Sequence, residues 1–259
     1  GEARATALLR RLADARRAGV EVTADLYPYN ASYTTISIVF PDFALPPHRY
    51  SRVKKKRRAE LADFLRKRVT KRGGPDATLF GTKPFRGQTL AQVAEARGKP
   101  FEDVLIDDIG PGGASAAYFV MDDALQSRLF VDPFVMISTD GGPFSSHPRG
   151  YGAFARVWQE HVTRRQLVPL REAVRKMTML PAETVGLDRL KVGRLAEGWA
   201  ADILVFDPRE IEARSNYERP RRYAKGMHAV VVNGRVVTDE GEISKRRAGR
   251  LLLRPSSPR

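Results

Sequence analysis

An acidic residue follows a strongly apolar run at a point where an α/β fold places its chemistry. Residues 134–138 read Phe-Val-Met-Ile-Ser, a pattern typical of a buried strand, and Asp140 follows shortly afterwards with Gly141 behind it. In parallel α/β folds the active site lies at the C-terminal ends of the strands. Asp140 is therefore a candidate catalytic carboxylate. The alternative is a turn in which its side chain bonds to its own loop.

Aromatic and imidazole side chains could contribute to the same pocket. Tyr27 and Tyr29 flank a proline just past the apolar stretch 20–24, where tyrosines either line a pocket or pack within the loop. The four histidines are each isolated in sequence, so none shows the spacing of a metal-ligand pair. His147 could approach a substrate, but packing or surface roles are expected for all of them. They are His48, His147, His161 and His228.

Helices and strands alternate around these residues. Apolar residues recur at helical spacing over 8–15, Gly19 supplies a C-terminal stop, and residues 20–24 read as a strand. A further extended run spans 114–121, and a predicted helix over 123–129 leads into the strand before Asp140. This order is typical of a parallel sheet or barrel.

Two departures from the alternation define the predicted domains. From about 41 to 108 the regular alternation of helices and strands is interrupted by several prolines and a basic amphipathic helix. This indicates an insertion that either covers the mouth of the fold or stabilises its periphery. The predicted α/β part therefore covers 1–190, and a β-rich segment covers 191–259. Within that segment, Asn233-Gly234 between apolar runs predicts a two-residue hairpin. The Ser/Pro-rich end, 255–259, is expected to fray.

Composition restricts the function classes. The 259 residues contain no cysteine, which excludes disulfides and cysteine metal sites, and no apolar run long enough to span a membrane. The formal net charge is +15, but the basic residues are spread over predicted helices. The dense runs at 54–58 and 245–247 have no interleaved aromatic residues, which favours a solvated surface over specific nucleic-acid binding. A polyanion-binding protein that relies on 54–58 stays as an alternative.

Several motifs together resemble the amidohydrolase superfamily and, within it, the D-aminoacylase or N-acyl-D-amino-acid deacylase family. The stretch 176–207 is similar to the family's passage from its last barrel helix into a β-sandwich. Residues 25–29 resemble its Asp-x-Tyr-Pro-Tyr motif. Its Asp-Gly and His-Pro-Arg elements match Asp140-Gly141 and residues 147–149. The resemblance implies an α/β fold: the C-terminal portion of a metal-dependent-hydrolase (β/α)8 TIM-type barrel, followed by part of a small β-sandwich.

The resemblance also implies roles for single residues. Asp140 is expected to contact a zinc ion, to take a proton from the attacking water and to pass it to the leaving amine. Arg149 matches the arginine that grips the carboxylate of an N-acyl amino acid. The other matching positions, which are expected to contact the substrate, are Tyr27, Tyr118 and Met121. The family also places a serine in the loop after the Tyr-Pro-Tyr motif, and Ser32 is the nearest candidate for this contact.

The other zinc ligands of the family lie upstream of the first residue, Gly1. The resemblance therefore predicts that this chain is the C-terminal part of a zinc-dependent, cytoplasmic amidohydrolase, with no membrane and no specific nucleic-acid partner. It is expected to be inactive without an N-terminal half, because zinc requires three or four ligands. The alternatives are a catalytically inactive remnant and a subunit that binds a separately encoded N-terminal half.

Overall fold

The computed structural model describes residues 1–253, which form two compact units. The first unit comprises Gly1–Pro28, Asp122–Pro143 and the chain from Pro148 onward, and the second comprises Tyr29–Met121 and Phe144–His147. The segment 255–259, predicted to fray, lies outside the described residues.

Nine strands and nine α-helices are formed by the described residues. The strands are β1 (Ala24–Leu26), β2 (Ser32–Thr35), β3 (Thr78–Phe80), β4 (Ser115–Tyr118), β5 (Val135–Ile137), β6 (Ile203–Phe206), β7 (Met227–Val232), β8 (Arg235–Asp239) and β9 (Glu242–Ile243). The helices are α1 (Glu2–Arg17), α2 (Tyr50–Lys56), α3 (Arg58–Lys71), α4 (Leu90–Arg97), α5 (Phe101–Val104), α6 (Asp123–Phe130), α7 (Arg149–Arg156), α8 (Leu170–Met177) and α9 (Met179–Val185). Segments of π-helix extend α5 over Leu105–Ile109 and α7 over Val157–Arg164.

In the first unit, β1 and β5 pair in parallel, with Ala24 opposite Val135 and Leu26 opposite Ile137. The strand therefore begins later than the predicted range 20–24, because pairing with β5 starts only at Ala24, the last residue of that range. Asp25, which directly follows the predicted range 20–24, lies in the middle of β1. The helix stop is as predicted, since α1 is followed by Gly19 in a left-handed conformation with φ of 84°.

Apolar residues from α6, β5, α8 and the π-helical segment pack around this parallel pair. The buried members of this cluster are Phe130, Ile137, Val157, Val168 and Ala173. Lys176 on α8 is also fully buried, and its Nζ donates to the carbonyl oxygens of Asp132 and Val135, the latter at 2.9 Å. The ammonium group thereby joins α8 to the start of β5.

The C-terminal strands form one antiparallel sheet in the order β6-β7-β8-β9. The predicted hairpin is confirmed, because Asn233 and Gly234 connect β7 to β8 with φ values of 48° and 73°. These left-handed values are those of a type I′ turn. Membership of this sheet in a β-sandwich stays a prediction.

The second unit contains an antiparallel sheet in the order β2-β4-β3. This corrects the expectation that the run 114–121 continues a parallel alternation, because β4 pairs in antiparallel fashion with both of its neighbours. The predicted insertion, 41–108, lies inside this unit, whose sheet requires the flanking strands β2 and β4. The strands of the described residues make three separate sheets and no closed barrel.

The basic run 54–58 in the second unit is largely neutralised. Lys54 Nζ lies 2.8 Å from Asp107, and Arg58 lies 2.6 Å from Asp103 and 2.8 Å from Asp107. Arg57 pairs with Glu60. This pairing agrees with a solvated surface and does not favour the polyanion-binding alternative. The helices within residues 1–253 include none with the length and apolarity that crossing a membrane requires.

His161 is buried in the first unit beside the Phe130 ring, with 4.5 Å between the ring centroids. Burial is the main cause that lowers its pKa to about 4, and the Arg165 cation lowers it further. A carbonyl of Arg156 and the Glu160 carboxylate act in the opposite direction but do not prevail. The imidazole is therefore neutral in the folded chain at pH 7.

This burial predicts a loss of stability in mild acid. Between about pH 6.5 and pH 4 the unfolded chain binds the proton at His161 more readily, so the free energy of unfolding falls as the pH is lowered. From pH 7 to pH 5 the loss attributable to this residue should be about 2 kcal/mol. Urea unfolding at pH 7 and at pH 5 should show this loss of unfolding free energy in the wild type and not in His161→Phe.

His228→Asn is the matched control for this measurement. In the wild type the pKa of His228 is raised, chiefly by the hydrogen bond with Glu240. The stability that this imidazole contributes is therefore lost as the pH rises above about 6.5. The His228→Asn variant should therefore show an acid loss at least as large as that of the wild type. An equal acid loss in His161→Phe would contradict the assignment to His161.

Candidate active site

Asp140 lies three residues beyond the end of β5, at the C-terminal end of the parallel pair. The backbone N–H of Ser138 still donates to the Leu26 carbonyl at 2.9 Å, so the two chains stay together beyond the last strand residue. Asp140 itself has φ of 43°, in the left-handed region that aspartate adopts more readily than most residues. Its side chain is 65% exposed. The turn thus presents the carboxylate to solvent.

The glycine after Asp140 allows this turn to touch the start of α7. A Cβ atom on Gly141 would lie 2.3 Å from Gly150 Cα and 2.9 Å from its nitrogen, distances that no side chain can occupy. Gly142, the next residue, has no atom within 4 Å of such a Cβ. Gly141 therefore provides a close backbone approach that links the Asp140 turn to α7.

Arg149 is the first residue of α7 and lies beside Asp140. Its Nη2 is 2.8 Å from Asp140 Oδ2, and its side chain is only 6% exposed. A guanidinium that donates to a carboxylate at this distance makes a charge-assisted hydrogen bond. The structure thus brings together two of the residues that the sequence predicts for the site.

Tyr27 is the third predicted residue in this cluster. The Arg149 Cζ atom lies 4.6 Å from the centroid of the Tyr27 ring, within the range of a cation–π contact. Burial raises the pKa of the Tyr27 hydroxyl, while the nearby Arg149 lowers it to a smaller extent. The loop after β1 is further held by Arg156, whose Nε donates to the Pro28 carbonyl at 2.7 Å.

A C-terminal segment that sequence reasoning missed contacts the residues on either side of Arg149. The buried Ser215 donates its Oγ–H to the Pro148 carbonyl at 3.1 Å, directly before α7. The rings of Tyr151 and Tyr223 have centroids 5.7 Å apart, and the Tyr151 hydroxyl donates to the Pro143 carbonyl at 3.3 Å. Only the proximity of Tyr151 to Arg149 in sequence could have indicated this arrangement.

The remaining predicted substrate contacts lie in the second unit. Ser32 on β2 is directly opposite Tyr118 on β4. Tyr118 is fully buried, its hydroxyl donates to the Thr35 carbonyl at 3.4 Å, and burial raises its pKa. Met121 follows this strand and donates its N–H to the Asn30 carbonyl at 3.2 Å. Their contacts with a substrate stay predictions.

His147 has the surroundings of a packing residue. It is fully buried in the second unit, and its Nε2–H donates to the Ala31 carbonyl at 3.0 Å. The Tyr29 ring approaches it edge-on, with 5.2 Å between centroids. The interpretation of Tyr29 as a loop-packing residue fits the same contact.

Among residues 1–253, no group of three or more His, Cys, Asp or Glu side chains could hold a metal ion. Asp140 offers one carboxylate, whereas a zinc site requires three or four ligands. The described residues therefore do not make a complete zinc site.

Comparison with known proteins shows which family this chain resembles. A model of the amidohydrolase family matches residues 76–238. The D-aminoacylase of Alcaligenes xylosoxydans xylosoxydans is 38% identical over 180 residues, which cover 68% of this chain and 36% of that protein. The N-acyl-D-glutamate deacylase of the same organism is 34% identical over 258 residues, which cover 98% of this chain and 46% of that protein. The chain thus spans less than half the length of these relatives.

Solved structures agree with this comparison. A crystal structure of D-aminoacylase has a TM-score of 0.72 and 31% sequence identity, with 96% of this chain and 46% of that chain covered. The N-acyl-D-glutamate deacylase of Bordetella bronchiseptica, complexed with zinc and a phosphonate inhibitor, has a TM-score of 0.69 and 29% identity. In that case 90% of this chain and 43% of that chain are covered.

The close approach of the Gly141 and Gly150 backbones predicts that alanine substitutions at Gly141 and at Gly142 differ in their effect on stability. Gly141→Ala should lower the free energy of unfolding by about 1–3 kcal/mol, because its methyl group requires the Asp140 turn and α7 to separate. Gly142→Ala has open space and should change stability by less than about 1 kcal/mol. Urea unfolding of both variants checks this, and equal effects would contradict the close approach at Gly141.

Proposed function

The chain belongs to the amidohydrolase family, and we propose that it carries the proton-transferring and carboxylate-binding residues of an N-acyl-D-amino-acid deacylase. The observation that carries this proposal is the cluster of Tyr27, Asp140 and Arg149 at the C-terminal ends of two parallel strands. The names of the relatives, which include D-aminoacylase and N-acyl-D-glutamate deacylase, support the substrate class.

In the proposed reaction, water adds to the amide carbonyl and the C–N bond breaks. Asp140 accepts a proton from the attacking water and delivers it to the nitrogen of the leaving amine, so that the free amino acid and the carboxylic acid are formed. A carboxylate on a solvent-facing turn is suited to both transfers. Arg149 binds the carboxylate of the amino-acid part, for which the paired N–H groups of a guanidinium are well suited.

The other predicted residues are each proposed to contact the substrate. Tyr27 supports the Arg149 guanidinium through its ring and contacts the substrate. We assign the acyl group or amino-acid side chain to Tyr118 and Met121, and a polar contact to Ser32.

A metal ion is part of the proposal, and zinc is favoured by the zinc-complexed relative. Asp140 would be one ligand, and the remaining ligands would come from residues outside those that the structure describes. When bound, the metal would supply Lewis-acid activation of the water and of the carbonyl group.

The architecture is proposed on the same basis. The parallel pair β1 and β5 would belong to the C-terminal portion of a (β/α)8 barrel within residues 1–190, with an insertion at about 41–108. The sheet β6-β7-β8-β9 would be part of a β-sandwich within 191–259. An N-terminal half, in the same or a separate polypeptide, would supply the remaining strands.

Elemental analysis and an activity assay test this proposal together. The 259-residue chain should contain no stoichiometric zinc, whereas its co-expression with the coding sequence immediately upstream should yield zinc and hydrolysis of N-acetyl-D-amino acids. Absence of zinc and of hydrolysis in both preparations would refute the proposed function and leave a remnant fold.

In the active preparation, Asp140→Asn should lower kcat by about 10²- to 10⁴-fold, because it removes the proton acceptor. Asp123→Asn is a matched control, since Asp123 makes an exposed ion pair with Arg165 elsewhere in the same unit. A wild-type kcat in Asp140→Asn would contradict the role of Asp140. An equal loss of kcat in Asp123→Asn would show that the loss is not specific to Asp140.

A further inference from the structure

Arg149 extends from a peptide unit that is held by a residue far along the chain. The Pro148 carbonyl group lies in one plane with the nitrogen and Cα atoms of Arg149, because the peptide bond is planar. Within α7, this carbonyl oxygen accepts the N–H groups of Tyr151 at 3.1 Å and of Gly152 at 2.9 Å. From outside the helix, it accepts the hydroxyl of the buried Ser215 at 3.1 Å. The position of the Arg149 backbone therefore depends on the C-terminal segment.

The first turn of α7 needs such external support. The N–H groups of a first helical turn have no partners within the helix, and an oxygen-bearing side chain before the helix usually accepts one of them. Pro148 stands at that position, and its side chain carries no hydrogen-bonding atom. The bond from Ser215 to the Pro148 carbonyl supplies an anchor that the proline side chain cannot supply.

The segment 208–215 lies along the π-helical extension of α7. The Trp158 Nε1–H donates to the Pro208 carbonyl at 3.0 Å. The Ala213 N–H donates to Gln159 Oε1 at 3.3 Å. Together with the bond to the first turn of the helix, these contacts tie the segment to α7 and its extension at three points.

The same segment is also fixed to the residues that precede β7. Glu212 and Lys225 exchange backbone hydrogen bonds of 3.2 and 3.1 Å. A Cβ atom on Gly226 would lie 2.5 Å from the carbonyl oxygen of Glu210, so the two backbones are in close contact. Ile211, between these residues, is buried. The hydroxyl that holds α7 therefore extends from a segment with little freedom to move.

We propose that Ser215 is a positioning residue for Arg149: its hydroxyl fixes the Pro148 carbonyl, and thereby the place at which the guanidinium meets the substrate carboxylate. This inference rests on the proposed function, because it takes the substrate carboxylate as the group that Arg149 binds. The role of Ser215 is indirect, since its hydroxyl is engaged with a backbone carbonyl. Loss of this bond should weaken substrate binding and leave the reacting groups in place.

The Nε–Hε resonance of Arg149 reports the position of its guanidinium in the 259-residue chain without any need for activity. Arg149→Lys identifies this resonance by its absence from the nitrogen–proton NMR spectrum. Ser215→Ala should shift and broaden it, because the arginine backbone gains freedom. Ser215→Thr retains the hydroxyl and should restore the wild-type resonance. Ser215→Cys, which donates only weakly, replaces the alanine variant if that variant does not fold.

Thr184→Val is the matched control, since it also removes a hydroxyl that donates to a backbone carbonyl in the same unit. Thr184 Oγ1 lies 2.8 Å from the Leu180 carbonyl oxygen within α9. The Arg149 resonance should be unchanged in this variant. An unmoved resonance in Ser215→Ala overturns the positioning role, as does an equal displacement in Thr184→Val.

In the active preparation, Ser215→Ala should raise KM for an N-acetyl-D-amino acid by about 5-fold, which corresponds to about 1 kcal/mol for one lost hydrogen bond. The kcat should change by less than about 2-fold, because a carboxylate remote from the reacting bond is bound equally in the ground state and the transition state. Ser215→Thr should return KM to near the wild-type value. A purely structural defect would instead lower kcat through the loss of folded enzyme and leave KM unchanged.

The positioning role and the proposed function can fail separately. A displaced Arg149 resonance in Ser215→Ala, in a protein that hydrolyses no N-acyl amino acid with its upstream part and zinc present, retains the positioning role and refutes the function. Hydrolysis by the wild type combined with an unchanged KM in Ser215→Ala retains the function and overturns the positioning role.

Discussion

The parallel pairing of β1 with β5 is the constraint on which the candidate site depends. Parallel strands end on the same side, so the register that places Leu26 opposite Ile137 also places Tyr27 and the Asp140 turn at one edge. A slip of one residue would turn each side chain to the opposite face. Because each strand has only three residues, the register depends on the packing around Ile137 and on the Lys176 ammonium that binds the carbonyl at the start of β5.

A second constraint is the close approach of two glycine backbones, which brings the Asp140 turn against the first residues of α7. This approach explains how an exposed aspartate and a buried arginine come to share a hydrogen bond. The arginine is held by the helix and by the Tyr27 ring, and the aspartate is held by the ion pair and by its turn. The cluster therefore combines a buried cation with an exposed anion.

Local signals predicted a substantial part of the fold. The stop at Gly19, the strand before Asp140 and the hairpin at Asn233-Gly234 each depend on the conformational preferences of a few adjacent residues, and each is present. The pairing of strands was predicted less well. The extended run that contains β4 is typical of a parallel alternation, but its neighbours in the sheet, β2 and β3, run antiparallel to it. The strand predicted near residue 20 begins only where β5 is available to pair.

The sequence by itself determined which chemical groups are available: one carboxylate after an apolar run, an arginine nine residues later, no cysteine and four isolated histidines. It also carried the resemblance to the amidohydrolases that the family match supports. Only the tertiary structure decided that Arg149 bonds to Asp140, that Tyr27 lies against the guanidinium and that Tyr118 is buried in the second unit. The physical reason is that turns follow from neighbouring residues, whereas burial and ion pairing depend on contacts between residues far apart in the chain.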